Sequence, residues 1–516
     1  MDQHEPQIHS QIAFDSGIAY SKLCRFSQET ATPSSRIARI DSLLSTLASH
    51  GLLNGSVFVA EQGKVLYSKS FGYADKARRV PHTDTTRFNL ASLSKPFTAL
   101  ATLQLVQKGK LKLDDPVVKY FTDFPHPTIT VRHLLNQTSG LPVLERLMDA
   151  YVNAHPDEVL SNQQVYASLV ILKSPLLFQP GDTWRYNNLN YVLLAMLVEK
   201  VSRMSFATYA QRNLFRPAGM PNTYIRLAGM PNTTRYIRPN QYTLHYHNVD
   251  LLDRKQEYTY YQLGSLIGPN NVISTIQDLW KFDQALMAGK LVSPALLEMA
   301  SKPLTLNNGQ VFRMGSSTRS YGLGWSVYHS KTEPINHFIF HDGHIVGLTT
   351  FLHHNLTKNQ TIIFCDNTDN NPLQVMVAVS NILNNTAPPP IRLTESLVRL
   401  YGEALVAGGP DYAITRFNEL KTDSTQYHVD ELEMNRLGYD LLRASSPQYK
   451  AYALEVFKIN TLLFPKSGNT YDSYAHALAK SGRKEEAIAM YRHSIRVWPG
   501  NEEGKKALRE LLERKE

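Results

Sequence analysis

Ser92-Leu93-Ser94-Lys95 sets a hydroxyl and an amine three residues apart at the mouth of an apolar run. Residues at that spacing share a helix face, so the Lys95 amine reaches the Ser92 hydroxyl. A serine hydroxyl is a weak nucleophile until a neighbouring base takes its proton. Lysine serves as that base where burial or a nearby cation lowers its pKa from about 10.4. The spacing alone is cheap, since Ser481-Gly482-Arg483-Lys484 repeats it in a glycine-containing turn between polar helices. Context separates the two copies. Phe88-Asn89-Leu90-Ala91 gives a mostly apolar approach, and Pro96 is tolerated only near a helix start. Phe97 to Val106 then carries a broad apolar face that ends at Gly109. Ser92 is thereby placed at a helix N-terminus, where backbone N–H groups favour developing negative charge. Capping by Ser92 or Ser94 is the other reading of the same position.

Two downstream segments carry further chemistry. Pro180-Gly181-Asp182-Thr183-Trp184-Arg185-Tyr186-Asn187-Asn188 runs from a Pro-Gly turn into an apolar helix over Tyr191 to Val201. Tyr151-Val152-Asn153 and Tyr246-His247-Asn248 match its Tyr-x-Asn pattern but lack that turn and helix. His341-Asp342-Gly343-His344 enters the β-rich stretch Leu348 to Phe351, and its glycine suits a strand that lets a substrate backbone approach closely.

In this order, Ser92/Lys95, Tyr186/Asn188 and His341/Gly343 resemble the three motifs of the β-lactamase-like serine hydrolases. That group takes in class C β-lactamases, D-alanyl-D-alanine carboxypeptidases, D-aminopeptidases and related esterases. Leu134-Leu135-Asn136-Gln137-Thr138-Ser139-Gly140-Leu141-Pro142, Ser274-Thr275-Ile276-Gln277-Asp278-Leu279 and Tyr321-Gly322-Leu323-Gly324-Trp325 resemble the same family, which spans about residues 37 to 385. The resemblance implies an α/β fold, a β-lactamase/transpeptidase-like sandwich with an antiparallel sheet covered by helices. It implies that Ser92 forms an acyl-enzyme, that Lys95 takes or relays its proton, and that the Tyr186 phenol protonates the leaving group. Asn188 would bond the substrate amide or the lysine, and His341 would stand where relatives carry Lys or His. The backbone N–H groups of Ser92 and His344 would form the oxyanion hole, and water would release the acyl group. No cofactor and no metal are implied.

The third motif departs from the family pattern. Asp342 stands where many relatives have threonine, whose hydroxyl helps hold a substrate carboxylate. An ionised Asp342 pointing the same way repels a carboxylate. That reading disfavours β-lactams and favours D-amino-acid amides, peptides with a free amine, or esters. In the other reading Asp342 turns outward and bonds a loop.

Composition narrows the remaining classes. The chain has 516 residues, 42% hydrophobic and 19% charged, as an ordinary globular protein of about three domains would. Its net charge of +9 is dispersed without long Lys/Arg runs, which argues against nucleic-acid binding. A mildly basic surface suits an anionic wall polymer or membrane surface, though solvated charge accounts for it more simply. Of the two cysteines, Cys365 ends the apolar run Thr361-Ile362-Ile363-Phe364 and reads as a buried strand residue, while Cys24 sits in a polar segment without a lipid-attachment box. Met1 to Arg36 reads as a flexible leader without a secretory core, and no window is long and apolar enough for a transmembrane helix. The resemblance points to a periplasmic or extracellular protein, whereas the missing signal peptide leaves the cytoplasm open.

Periodicity organises the rest. Ile37 to Leu52 reads as a helix, and Val57 to Ala60 with Val65 to Ser70 as a hairpin about Gln62-Gly63. Strands are expected at Gly324 to Tyr328, His337 to Phe340, Leu348 to His353 and Thr361 to Cys365. Residues 218 to 265 form an irregular insertion in which Ala218-Gly219-Met220-Pro221-Asn222-Thr223 recurs as Ala228-Gly229-Met230-Pro231-Asn232-Thr233. Tyr242, Tyr246, Tyr258, Tyr260 and Tyr261 either shape an apolar substrate pocket or pack a long loop. His245 and His247 lack the carboxylate or cysteine that would complete a metal site.

A Pro-rich linker, 386–396, separates the hydrolase region 37–385 from a helical region, 397–516. There Ala453 and Ala487, Phe457 and Tyr491, and Pro465 and Pro499 each lie 34 residues apart, the tetratricopeptide repeat length. Such repeats imply a protein partner or a cap docked on the catalytic part. Two functions follow: an active serine hydrolase on a small-molecule or peptide substrate, or a catalytically inactive scaffold that works through its helical repeats.

Overall fold

Gln62 and Gly63 both take positive φ, 51° and 72°, and close the tight turn between β1 (Gly55–Glu61) and β2 (Lys64–Ser70). Their sheet is completed from far along the chain by β3 (Arg319–Tyr321), β4 (Ser326–His329), β5 (His337–Ile345), β6 (Leu348–Asn355) and β7 (Gln360–Asp366). The order is β2-β1-β7-β6-β5-β4-β3, with every neighbour antiparallel. This computed structural model describes residues 33–513 apart from 76–77, 145–146, 149–150, 152–159, 228–265, 315–317, 330–336, 346–347, 369–371 and 444–445. The leader, Cys24, the second copy of the duplicated hexapeptide, the five insertion tyrosines, and His245 and His247 lie outside the described residues.

Alternate residues of the central strands serve two cores, as a period of two requires. Phe58, Ala60, Ile363 and Cys365 face one side of the sheet, while Val57, Val59, Ile362 and Phe364 face the other. The helices that matter for this packing are α1 (Pro33–Ser49), α2 (Lys95–Gln107), α3 (Asn188–Ser202), α4 (Ile276–Met287) and α5 (Pro372–Leu383). Ile40, Leu44 and Leu47 of α1 join Val379 and Ile382 of α5 over the outer face. Helices α2, α3 and α4 cover the inner face, where Trp280 lies 5.2 Å from the Phe58 ring. Each fully buried Leu, Ile or Phe contributes about 1.5–3 kcal/mol.

Helix α2 departs from its expected one-sided pattern: it is buried from Lys95 to Leu105, sandwiched between the sheet and α3. Its polar donors find carbonyl partners inside, while Gln104 Oε1 is buried without a partner among the described residues. Thr98 donates to Gly268 O at 2.7 Å, and Gln104 donates to Asn213 O and Leu291 O at 3.0 and 2.8 Å. Gly109 at φ 68° ends the helix, as expected.

Strand limits differ from the expected ones at several ends, and two of the differences have a plain cause. The strand expected from His337 to Phe340 continues to Ile345, because β6 supplies partners as far as Ile345↔Leu348. The one expected from Gly324 begins at Ser326, because Gly324 takes φ 93° with its α-carbon against α2. A side chain there would lie 2.2 Å from Ala99 Cβ.

Beyond residue 396 a separate hydrophobic cluster forms. Leu397–Leu420 kinks at Gly409 before Pro410. Glu431–Arg443 then pairs with Pro447–Leu463, and Gly468–Lys480 with Lys484–Val497, followed by Glu502–Glu513. Gly438 lets the first pair close, since a Cβ there would lie 2.7 Å from the Phe457 ring.

Candidate active site

Ser92 sits in the 3₁₀ turn Ala91–Ser94, one step before α2 and not within it. The turn is held on both sides. Leu90 N–H donates to Val272 O at 2.8 Å, Leu93 N–H to Leu90 O at 2.9 Å, and Ala91 N–H to Asn89 Oδ1 at 2.9 Å. These bonds hold Ala91 at φ 46°, a left-handed conformation that costs a residue with a Cβ about 1–2 kcal/mol. Neither serine caps a helix: Ser94 Oγ accepts from Val272 N–H at 3.0 Å and ties the turn to its neighbouring strand. Ser92 Oγ is left for Lys95.

The Lys95 side chain is fully buried. Its Nζ donates to Ser92 Oγ at 2.9 Å and to Pro269 O at 3.2 Å, and lies 4.6 Å from the Tyr186 ring centroid and 5.7 Å from that of Tyr191. The Tyr186 phenol stands beside the Ser92 hydroxyl. Burial pushes this phenol well above its usual range; Tyr321 and Asp342 push the same way, and Ser92 pulls back. At neutral pH the phenol keeps its proton.

The Leu134–Pro142 segment explains how Tyr186 is placed. Gln137, at φ 66°, accepts Arg185 N–H on its backbone oxygen at 3.0 Å. Its side-chain Oε1 accepts Asn187 N–H at 3.0 Å and Asn190 Nδ2 at 2.6 Å. Asn187 donates to Leu141 O and Pro142 O, and its Oδ1 caps α3 by accepting Leu189 N–H at 3.0 Å. Asn188 opens α3, half-buried, with a buried Oδ1 that has no hydrogen-bond partner.

Strand β5 brings in the third motif. His341 is buried: Nδ1 lies 2.6 Å from Asp342 O, and Nε2 lies 3.3 Å from Tyr321 Oη. Burial pushes its imidazole down to about 4, helped by Arg319 and by the charged form of Lys95, and opposed by Asp342. A Cβ at Gly343 would lie 1.9 Å from Leu90 O and 2.9 Å from Leu93 N, so the strand makes a close approach to the Ser92 turn itself. Thr350, across from Gly343, donates to Leu90 O at 2.8 Å and fastens the same junction. His344 follows on the exposed side, its Nδ1 3.3 Å from Thr349 Oγ1.

Strand alternation points Asp342 away from the face shared by His341 and Gly343. Its half-exposed carboxylate lies 3.6 Å from Arg319 Nη2, and the Arg319 guanidinium lies 4.9 Å from the Phe340 ring centroid. The charge of Asp342 is therefore offset by a neighbour that sequence reading missed. An aromatic group borders the site: Trp184 stacks on Phe312 at 5.1 Å and lies 5.8 Å from Tyr321 and 6.5 Å from Tyr186. Among the described residues no group of three His, Cys, Asp or Glu is arranged to hold a metal, and no helix is long and apolar enough to cross a membrane.

With this geometry in place, comparison with known proteins is specific. The Beta-lactamase family model matches residues 40–383. Penicillin-binding protein 4* of Bacillus subtilis (strain 168) is 35% identical over 331 residues, covering 64% of this chain and 71% of that protein. The penicillin-binding protein homologue from Pyrococcus abyssi superposes with a TM-score of 0.57 at 23% identity, covering 68% of this chain and 78% of the other. The D-amino acid amidase from Ochrobactrum anthropi SV3 gives 0.54 at 23%, covering 68% and 98%. At that identity the two structural likenesses speak for the fold alone.

Proposed function

The chain belongs to the Beta-lactamase family, and on that premise we propose that it is a serine hydrolase whose Ser92 is acylated by an amide or ester. The observation that carries this reading is the 2.9 Å contact between a fully buried Lys95 Nζ and Ser92 Oγ, with the Tyr186 phenol beside the same hydroxyl. As Ser92 Oγ attacks the carbonyl carbon, its proton passes to the neutral Lys95 amine. The carbonyl electron pair becomes an oxyanion facing the backbone N–H groups of Ser92 and His344. The tetrahedral adduct then collapses: the C–N or C–O bond breaks, and the leaving group takes a proton from Tyr186, which Lys95 restores. Water hydrolyses the acyl-enzyme in the same steps and releases the acid. A positioned acid–base group contributes about 10²–10⁴-fold, and one oxyanion donor about 10²–10³-fold.

Asp342, Arg319 and the aromatic group beside Tyr186 support a substrate with an apolar side chain and no demand for a carboxylate pocket. D-amino-acid amides and peptides with a free amine fit first, then small esters, then β-lactams. On the same reading the protein works outside the cytoplasm. Residues 37–385 form the hydrolase part, 386–396 the linker, and 397–516 a tetratricopeptide-like region that takes up a protein partner. The test is intact-mass analysis after incubation with penicillin, a p-nitrophenyl ester and a D-amino-acid amide, beside Ser92→Ala. A Ser92-dependent adduct or turnover is expected. Failure with all three donors overturns the hydrolase reading in favour of an inactive scaffold.

A further inference from the structure

Both ring nitrogens of His341 are committed inside the protein. Nδ1 faces a carbonyl oxygen, Asp342 O, at 2.6 Å; a carbonyl only accepts, so Nδ1 carries the hydrogen. In a neutral ring Nε2 is then bare, and the Tyr321 hydroxyl lies 3.3 Å from it, set edge-on to the imidazole with 82° between the ring planes. A hydroxyl can donate to that nitrogen. Tyr321 is itself fixed: it is 1% exposed and lies on β3, whose register with β4 pairs it with Ser326.

We propose that Tyr321 is a positioning residue, whose hydroxyl holds His341 as a neutral imidazole with the proton on Nδ1. The third motif of this protein therefore supplies shape and a fixed dipole beside Ser92, and no positive charge. The charged and titratable groups around His341 agree. From α2 comes Lys95, from β3 come Arg319 and Tyr321, and from β5 itself comes Asp342, while Tyr191 of α3 faces the Tyr321 hydroxyl. Burial and the Arg319 cation oppose a proton on the ring, as does Lys95 whenever it is protonated, and Asp342, paired with Arg319, favours one. A carboxylate-bearing substrate accordingly finds its cation at Arg319, not at the third motif.

The test is Tyr321→Phe, which keeps the buried ring and removes only the hydroxyl. Protein labelled with ¹⁵N-histidine reports tautomer and charge, and His341→Gln assigns the resonance by its disappearance. In the wild type the His341 ring is expected to be neutral with an Nδ1–H signal at pH 7 and still so at pH 5. In Tyr321→Phe its titration midpoint is expected to rise by one unit or more, because the neutral form loses the donor to Nε2. The acid limb of kcat/KM should move up by the same amount, with kcat at pH 8 within tenfold of wild type. An Nε2–H or doubly protonated ring in the wild type at pH 7 overturns the proposal, as does an unmoved midpoint in a folded variant. The kinetic arm rests on the hydrolase reading and the spectroscopic arm does not. Absence of turnover with every acyl donor would therefore sink the former reading while the spectrum still decides this one, and the wild-type spectrum decides it even where the variant fails to fold.

Discussion

Replacing Gly343 by alanine tests the junction on which the whole site depends. The new Cβ would lie 1.9 Å from Leu90 O, 2.6 Å from Thr350 Oγ1 and 2.9 Å from Leu93 N. Ordinary contact begins at 3.4 Å, so β5 and the Ser92 turn must part by about 1.5 Å. The atoms in the way are mostly backbone, and the turn cannot swing aside, because Leu90 and Ser94 are both bonded to Val272. Overpacking of this kind costs about 1–3 kcal/mol, and losing the Thr350–Leu90 bond adds about 1 kcal/mol. Catalysis should suffer more than stability. A misplacement of about 1 Å costs on the order of 10²-fold, and this one parts Ser92 from the strand that carries His341 and His344. The expected result is a folded protein, destabilised by about 2–4 kcal/mol in urea, that is acylated at least about 100-fold more slowly. Normal acylation with an unchanged urea midpoint would refute the reasoning.

Three further outcomes follow from particular contacts. Asp342→Thr removes the partner of Arg319; a half-exposed pair is worth up to about 1 kcal/mol, so kcat/KM for carboxylate-bearing substrates should rise by up to about fivefold relative to neutral ones, and unchanged selectivity would show that Asp342 plays no part in substrate choice. Asn187→Ala removes the cap of α3 and two bonds to the Leu141 and Pro142 carbonyls, so thermal or urea unfolding should register a loss of about 2–3 kcal/mol together with slower acylation. Burial works to raise the Asp115 carboxyl, but bonds from Tyr120, Lys119 and Lys112 N–H outweigh it and bring it down to about 2. Its folded value is below the unfolded one of about 3.9, so its stabilisation is complete above that pH and is lost as pH falls toward 2; Asp115→Asn should flatten the urea midpoint across that window, and identical profiles for the two proteins would exclude the effect.

The motifs that could be read from the sequence were those whose partners lie close in the chain or announce themselves by turn chemistry. Ser92 and Lys95 meet within one helical turn, and the Pro180-Gly181 turn marks the Tyr186 segment. The hairpin at Gln62-Gly63 and the buried strand ending at Cys365 were legible for the same local reasons. Arg319 could not be read in this way, because it reaches Asp342 only after β3, β4 and β5 align. Tyr321 lay in a recognised segment, yet its bond to His341 follows from sheet register alone. The packing of Gly343 on the Ser92 turn was not legible, because glycine reports that something comes close without saying what. Helix α2 looked one-sided because an apolar stripe does not reveal a second layer packed behind it.

The pairing of β1 with β7 has a consequence in time. Gly55 meets Asp366, so the central hydrogen-bond ladder joins segments made some three hundred residues apart. A growing chain holds the Ser92 turn long before β5, β6 and β7 exist to brace it, and closing so large a loop is slow. During synthesis, then, the nucleophile and its lysine emerge without the strand that carries His341 and His344. On the proposed hydrolase reading, the site is complete only once the final strands enter the middle of the sheet.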